Sequence, residues 1–137
     1  MKIKKWITNI IIIILCFFLI LGIGFFLQEA SSSESKYYRT EEPFLYAIQA
    51  KDYPRLVETS HHNLSMKNGR SEKFSEYHGV ADYFEAASFY LAYLENGQKE
   101  KAEKMKKRME EAELHMGRYA YLKEEIHKIL GIEESGK

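Results

Sequence analysis

Glu72–Glu95, EKFSEYHGVADYFEAASFYLAYLE, is the stretch that decides the fold. Tyr77, Val80, Phe84, Ala87, Leu91 and Leu94 share one face at helical spacing, and Ala86, Phe89, Tyr90 and Tyr93 cover most of the remainder. Only Asp82 and Glu85 interrupt this apolar surface. A helix apolar nearly all round is one with neighbours on several sides. The rest of the chain has to supply those neighbours, and it reads as helices. The 137 residues hold two prolines and eight glycines, with no clean alternation of period two. The expected class is all-α.

Upstream of that stretch, Thr40 is placed to cap a first helix whose opening turn holds Glu41, Glu42 and Pro43. Phe44, Leu45, Ala47 and Ile48 give it an apolar side, and it should end near Lys51. Asp52-Tyr53-Pro54 makes a tight turn into a second helix on which Tyr53, Leu56, Val57, Ser60 and Leu64 share a face. The two form a hairpin, and Lys67-Asn68-Gly69-Arg70-Ser71 is the next break. Downstream, Asn96-Gly97 ends the central helix with a left-handed cap. The fourth helix, Gln98 to Met116, carries Ala102, Met105, Met109, Ala112 and Met116 within an arc of about 80°. Its opposite side is Lys, Arg and Glu, with Glu100 and Glu103 spaced to support Lys104 and Lys107. Interleaved glutamates make this a solvated face and not a polyanion site. After Gly117 the apolar phase shifts, so a break precedes a fifth helix from Tyr119 to Leu130, with Leu122, Ile126, Ile129 and Leu130 inward. Residues 40–131 are thus expected to form a small bundle of about five helices arranged as repeat-like hairpins, with a frayed tail over 132–137.

The amino-terminal part is of a different kind. Trp6–Leu27, WITNIIIIILCFFLILGIGFFL, is a charge-free run of about 22 residues, or ~33 Å of helix against a hydrocarbon core of roughly 30 Å. Lys2, Lys4 and Lys5 precede it, whereas Gln28, Glu29 and Glu34 follow. The positive-inside bias then reads residues 1–27 as a single-pass anchor with a cytoplasmic amino terminus and an extracytoplasmic helical domain. A cleaved signal peptide, which would leave a secreted helical factor, is the alternative. Cleavage wants small residues one and three places before the cut. Gln28-Glu29-Ala30 puts the bulky Gln28 at the outer place, and Gly22-Ile23-Gly24 leaves Phe25, Phe26 and Leu27 on the product. Leu15 before Cys16 disfavours lipidation at that cysteine. Residues 28–39, QEASSSESKYYR, are Ser-rich and suited to a flexible linker, with Tyr37-Tyr38-Arg39 available either to headgroups or as the lead-in to the first helix.

Composition narrows the function. The chain has 20 basic and 20 acidic residues, a formal charge of zero, and no electrostatic footprint for nucleic acid. With Cys16 as the one cysteine, no disulfide or thiol chemistry is available to the domain.

Tyr93-Leu-Glu-Asn-Gly97-Gln-Lys-Glu-Lys-Ala102 carries a resemblance. A tyrosine late in one helix, a glycine at the turn and an alanine where the next helix crosses closely resemble a tetratricopeptide-repeat hairpin, over about residues 83–116. Ala47, Asp52 and Tyr53 echo the plan in the first hairpin, while Tyr90 and Lys106 depart from the family's small and large apolar positions. The resemblance implies a peptide- or protein-binding scaffold and transfers no particular binding residue.

Two Glu-x-x-His sequences, Glu58–His61 and Glu124–His127, have the spacing that di-iron bundles use to aim carboxylate and imidazole inward. Measured from Leu56 and Leu122, these side chains fall about 200° and 140° round the wheel, facing outward, so no metal or cofactor site is expected from them, and a small metal-binding four-helix-type protein using these pairs is the alternative function. His61, His62 and His78 read as solvated histidines, and Asp82 with Glu85 as an exposed strip. No nucleophile–base set, phosphate loop or small-molecule site can be placed, and the expectation is a non-enzymatic protein. Ten tyrosines and eight phenylalanines remain to be explained. Tyrosine buries area and still hydrogen-bonds, so Tyr83, Tyr90 and Tyr93 on the central helix are the candidate protein-binding residues. The expected partner is another membrane or envelope protein.

Overall fold

The structure is a computed structural model that describes residues 12, 15–25, 36–66 and 71–132. It divides into two compact units, Met1–Tyr37 and Tyr38–Lys137. Every regular element among the described residues is helical, which agrees with the all-α expectation.

In the first unit residues 15–25 are helical, about 16 Å of helix. Its apolar side chains lie open on all sides, from Leu15 at 57% exposure to Phe25 at 71%. No helix among the described residues is long and apolar enough to cross a membrane. Much of the expected anchor (6–11, 13–14 and 26–27) lies outside the described residues, as do most of the linker (28–35), the turn at 67–70 and the tail from 133 onward.

The second unit contains α1 (Glu42–Gln49), α2 (Tyr53–Ser65), α3 (Ser75–Glu95), α4 (Lys99–Glu113) and α5 (Leu122–Leu130), with short 3-10 turns at Glu72–Phe74 and Gly117–Tyr119. The hub is α3, which packs against α2, α4, α5 and both 3-10 turns, while α1 packs on α2. Phe44 of α1 is fully buried and stacks on Phe74 and Tyr77, with ring centroids 5.4 and 5.0 Å apart. Leu56, Val80, Ala86, Ala87, Met109, Met116 and Ile126 complete the core, so all five helices contribute to it.

Helix ends follow local chemistry, with some differences from the sequence reading. Glu41, not Thr40, occupies the cap of α1, and it makes no side-chain cap hydrogen bond. The helix ends in a left-handed Lys51 (φ 56°), with Lys51 N donating to the Ile48 carbonyl and Asp52 N to the Ala47 carbonyl. The Asp52 carboxylate then accepts from the Arg55 N–H at 3.1 Å and caps α2. At the end of α3, Gly97 (φ 68°) closes a Schellman motif, Gly97 N donating to the Leu94 carbonyl and Gln98 N to the Tyr93 carbonyl.

Two side chains expected on inner faces lie elsewhere. Leu64 is 37% exposed, because the chain entering at Tyr38 packs on the end of α2 and turns Asn63 inward instead. Asn63 Nδ2 donates to the Tyr38 carbonyl at 2.7 Å, and the Tyr38 ring stacks on His62. The linker therefore ends against the folded unit at Tyr38. Ile129 is 52% exposed, since α5 begins only at Leu122 and directs Leu122 and Ile126 at the core. The central helix meets its expectation of several neighbours only as far as Ala87: beyond it no residue of α3 is buried.

Candidate functional site

Past Ala87 the apolar side chains continue, but none of them is buried. Phe89 is 47% and Leu94 43% exposed, and Tyr90, Leu91 and Tyr93 are half-buried. By helical geometry Phe89, Tyr93, Tyr90, Leu94 and Leu91 span about 200° of the circumference. One helix, α4, lies along one side, where Ala102 is buried and Met105 half-buried. Ala102, buried there, presents only a methyl group, which lets the two helices approach closely at that level. Phe89 stacks on Tyr93 with centroids 6.2 Å apart, and Lys101 Nζ sits 5.4 Å from the Tyr93 centroid. The cation–π contact holds the Tyr93 ring in place on the surface.

Tyr83, Tyr90 and Tyr93 are not equivalent. Tyr90 and Tyr93 are both half-buried, Tyr90 packing against the core cluster, whereas Tyr83 is 1% exposed and its hydroxyl lies 2.7 Å from His127 Nε2. Tyr83 ties α3 to α5 and offers nothing to a docking partner.

Several of the polar candidates are taken up by the fold. His127, expected outward, is half-buried and stacks on Tyr83, because α3 packs on the side of α5 about 100° round from Ile126. His78, expected in solvent, is buried with Nδ1 2.7 Å from Ser60 Oγ, since the start of α3 lies under α1 and α2. His61 Nε2 is 3.3 Å from Glu85, while Glu58 and Glu124 are exposed. No group of three metal-ligating side chains occurs among the described residues.

Asp82 and Glu85 are joined by Arg108 of α4, at 3.1 and 2.5 Å. Burial works against the guanidinium charge, but hydrogen bonds and Coulomb attraction to Glu85 and Asp82 outweigh it and raise the Arg108 pKa. The three charges thus brace α3 and α4. Replacing Arg108 with Met leaves two acids one turn apart and should cost about 1–2 kcal/mol in urea unfolding.

A second brace fixes the α1–α2 turn. Glu125 of α5 accepts from Lys51 Nζ at 2.7 Å and from the Tyr53 hydroxyl at 2.5 Å, and these bonds, Lys51 first, lower its pKa. Burial, followed by the bond to Glu125, pushes the Tyr53 phenol far up. A carboxylate with a depressed folded pKa contributes stability above its unfolded value, and the contribution is lost as pH falls through the folded value. Tyr53→Phe should therefore cost about 1 kcal/mol at pH 7, and the gap from the parent chain should close below the ordinary glutamate value of 4.5. Chemical denaturation at pH 7 and pH 3 checks this, and an equal gap at both would rule out Glu125.

A third cluster, at the start of α3, pins the turn before α5. Arg118 Nε pairs with Glu76 at 2.9 Å, and the Tyr119 hydroxyl lies 3.3 Å from that of Tyr77. Burial and then that hydrogen bond push the Tyr77 phenol up to about 12.

A groove of about 490 Å³ opens between the end of α2, the start of α3 and the end of α4, beside His78 and Gly79. Gly79 is where two backbones come closest along it. A Cβ there would stand 2.5 Å from the backbone carbonyl carbon and oxygen of His115. The sequence reading passed over Gly79, although a glycine inside a helical pattern is itself a signal of close backbone approach.

Comparison with known proteins adds no constraint: no family model matches the chain, and neither a curated protein nor a solved structure is similar to it.

Proposed function

We propose that the protein is a non-enzymatic, membrane-tethered helical module that docks another membrane or envelope protein through the distal half of the α3–α4 hairpin. The observation that carries this reading is the change in α3 at Ala87. The helix stays apolar over most of its circumference, but none of its residues beyond Ala87 is buried. Phe89, Tyr90, Tyr93 and Leu94 form a contiguous surface of large side chains. Aromatic side chains on a rigid helix lose little entropy on binding and supply the anchors of most interfaces. Support for the tether comes from the charge-free run Trp6–Leu27, the lysines before it and the open, helical residues 15–25. The amino terminus would then be cytoplasmic and the helical unit extracytoplasmic. The resemblance of the hairpins to tetratricopeptide repeats is in keeping with a scaffold of this type.

The test is photo-crosslinking of the full chain in its native membranes. A crosslinker at Leu94 should capture a discrete protein species that the same probe at Glu58 does not, and Tyr90→Ala with Tyr93→Ala should reduce capture at least tenfold while helicity is retained. Equal capture at both positions, or full capture by the double variant, would refute the docking surface.

A further inference from the structure

We propose that the groove beside His78 and Gly79 binds a small organic amine, an apolar body whose ammonium head is received by Asp82. On α3, Ser75, His78, Gly79 and Asp82 recur at i, i+3, i+4 and i+7, so they form one stripe of small and polar residues along the helix. All four line the groove, together with Leu64 of α2, Ala112 of α4 and His115 just past the end of α4. His78, Gly79 and Ala112 are buried and make its floor, whereas Leu64, Ser75 and His115 are exposed along its rim. The stripe from Ser75 to Asp82 runs ~10 Å at the helical rise. The volume of about 490 Å³ falls within the roughly 300–1,000 Å³ of small-molecule sites. An extended peptide, at about 3.4 Å per residue, would place only about three residues along it. The site belongs to the first half of α3 and is independent of the docking surface beyond Ala87.

Hydroxyl and imidazole groups both donate and accept hydrogen bonds, so Ser75, His78 and His115 do not choose the sign of a ligand's charge. Asp82 does. Among the described residues that line the groove it is the one acid, and none is a lysine or arginine. Its Oδ1 accepts from Arg108 Nη2 at 3.1 Å, while Oδ2 has no hydrogen-bond partner among the described residues and the side chain is 45% exposed. Arg108 lies closer to Glu85, at 2.5 Å, and His61 reaches Glu85 and not Asp82. One guanidinium therefore serves two carboxylates, and Asp82 keeps an oxygen and much of its charge for a ligand. An ammonium at that end of the groove is attracted, and a carboxylate or phosphate in its place is repelled. The apolar body lies along Ala112 and Leu64. Leu64, 37% exposed in the absence of any ligand, is covered by it.

Titration of the full chain in zwitterionic micelles with phenethylamine tests this, followed by the nuclear magnetic resonance signal of the His115 ring. Two analogues of similar size, neutral 2-phenylethanol and anionic 3-phenylpropionate, separate the charge from the apolar body. The amine should shift the signal saturably with a dissociation constant below about 1 mM, and both analogues should bind at least tenfold more weakly. Asp82→Asn keeps an oxygen for Arg108 and should weaken the amine at least tenfold at an unchanged melting temperature. Glu58→Gln, at an exposed acid elsewhere on α2, should leave the affinity as it is. Should Asp82→Asn lower the melting temperature, Leu64→Trp fills the groove from a side chain already 37% exposed, and it should abolish saturation. Binding of 3-phenylpropionate as tight as that of the amine would overturn the site. So would a failure of the amine to saturate by about 10 mM, or full affinity in the Asp82→Asn or Leu64→Trp chain.

Discussion

Phe44→Ala is expected to destabilise the helical unit by about 3–5 kcal/mol, the usual range for emptying a buried phenylalanine site. Phe44 is 0% exposed and its ring touches Phe74, Tyr77 and His78, so the space it leaves is walled by three rigid rings. Rings locked by their own contacts collapse poorly into a void, which places the cost toward the top of the range. For a domain of this size that corresponds to a fall in melting temperature of roughly 15–30 °C. Urea unfolding should show a lower midpoint with an unchanged slope. A loss under about 1 kcal/mol would mean that α1 does not seat on α3 as described.

The second large effect concerns Gly79, and here the sign of the change is informative. At an open position inside a helix, glycine to alanine stabilises by roughly 1 kcal/mol. Gly79 faces the backbone of His115 and Met116, with a hypothetical Cβ 2.5 Å from the first and 2.8 Å from the second. Backbone at a turn between packed helices cannot withdraw as a flexible side chain can. Gly79→Ala should therefore destabilise by about 1–3 kcal/mol, and Gly79→Val by more. Thermal unfolding of the two variants checks it. A stabilised Gly79→Ala would contradict the close crossing of α3 by the segment after α4.

Much of the helical unit is legible in the sequence because its apolar residues recur at helical spacing and its breaks use residues with definite backbone preferences. Asp52 before Tyr53-Pro54 and Gly97 after Asn96 mark ends that depend only on neighbours in the chain. What the wheel does not supply is the direction from which the next helix arrives. His78 and His127 are polar side chains drawn inward by particular partners, Ser60 and Tyr83, that lie 18 and 44 residues away. The Arg108 bridge is hidden for the same reason, since α4 alone presents Arg108 as one more cation on a charged face. The candidate site was half legible. Tyr90 and Tyr93 follow from composition and spacing, but only the positions of α1, α2 and α5 separate them from the buried Tyr83.

Covalent footprinting of tyrosines puts the central proposal to the most direct test. The full chain would be labelled in its native membranes and again after purification and dilution in detergent. Tyr46 and Tyr121, 54% and 67% exposed and remote in sequence from the α3–α4 tip, serve as internal controls. The account predicts that Tyr90 and Tyr93 are modified several-fold more slowly in the membrane than after dilution, while Tyr46 and Tyr121 react alike in both. Equal reactivity of Tyr90 and Tyr93 in the two states, with protection appearing instead at Tyr46 or Tyr121, would contradict it and move the binding surface to another face.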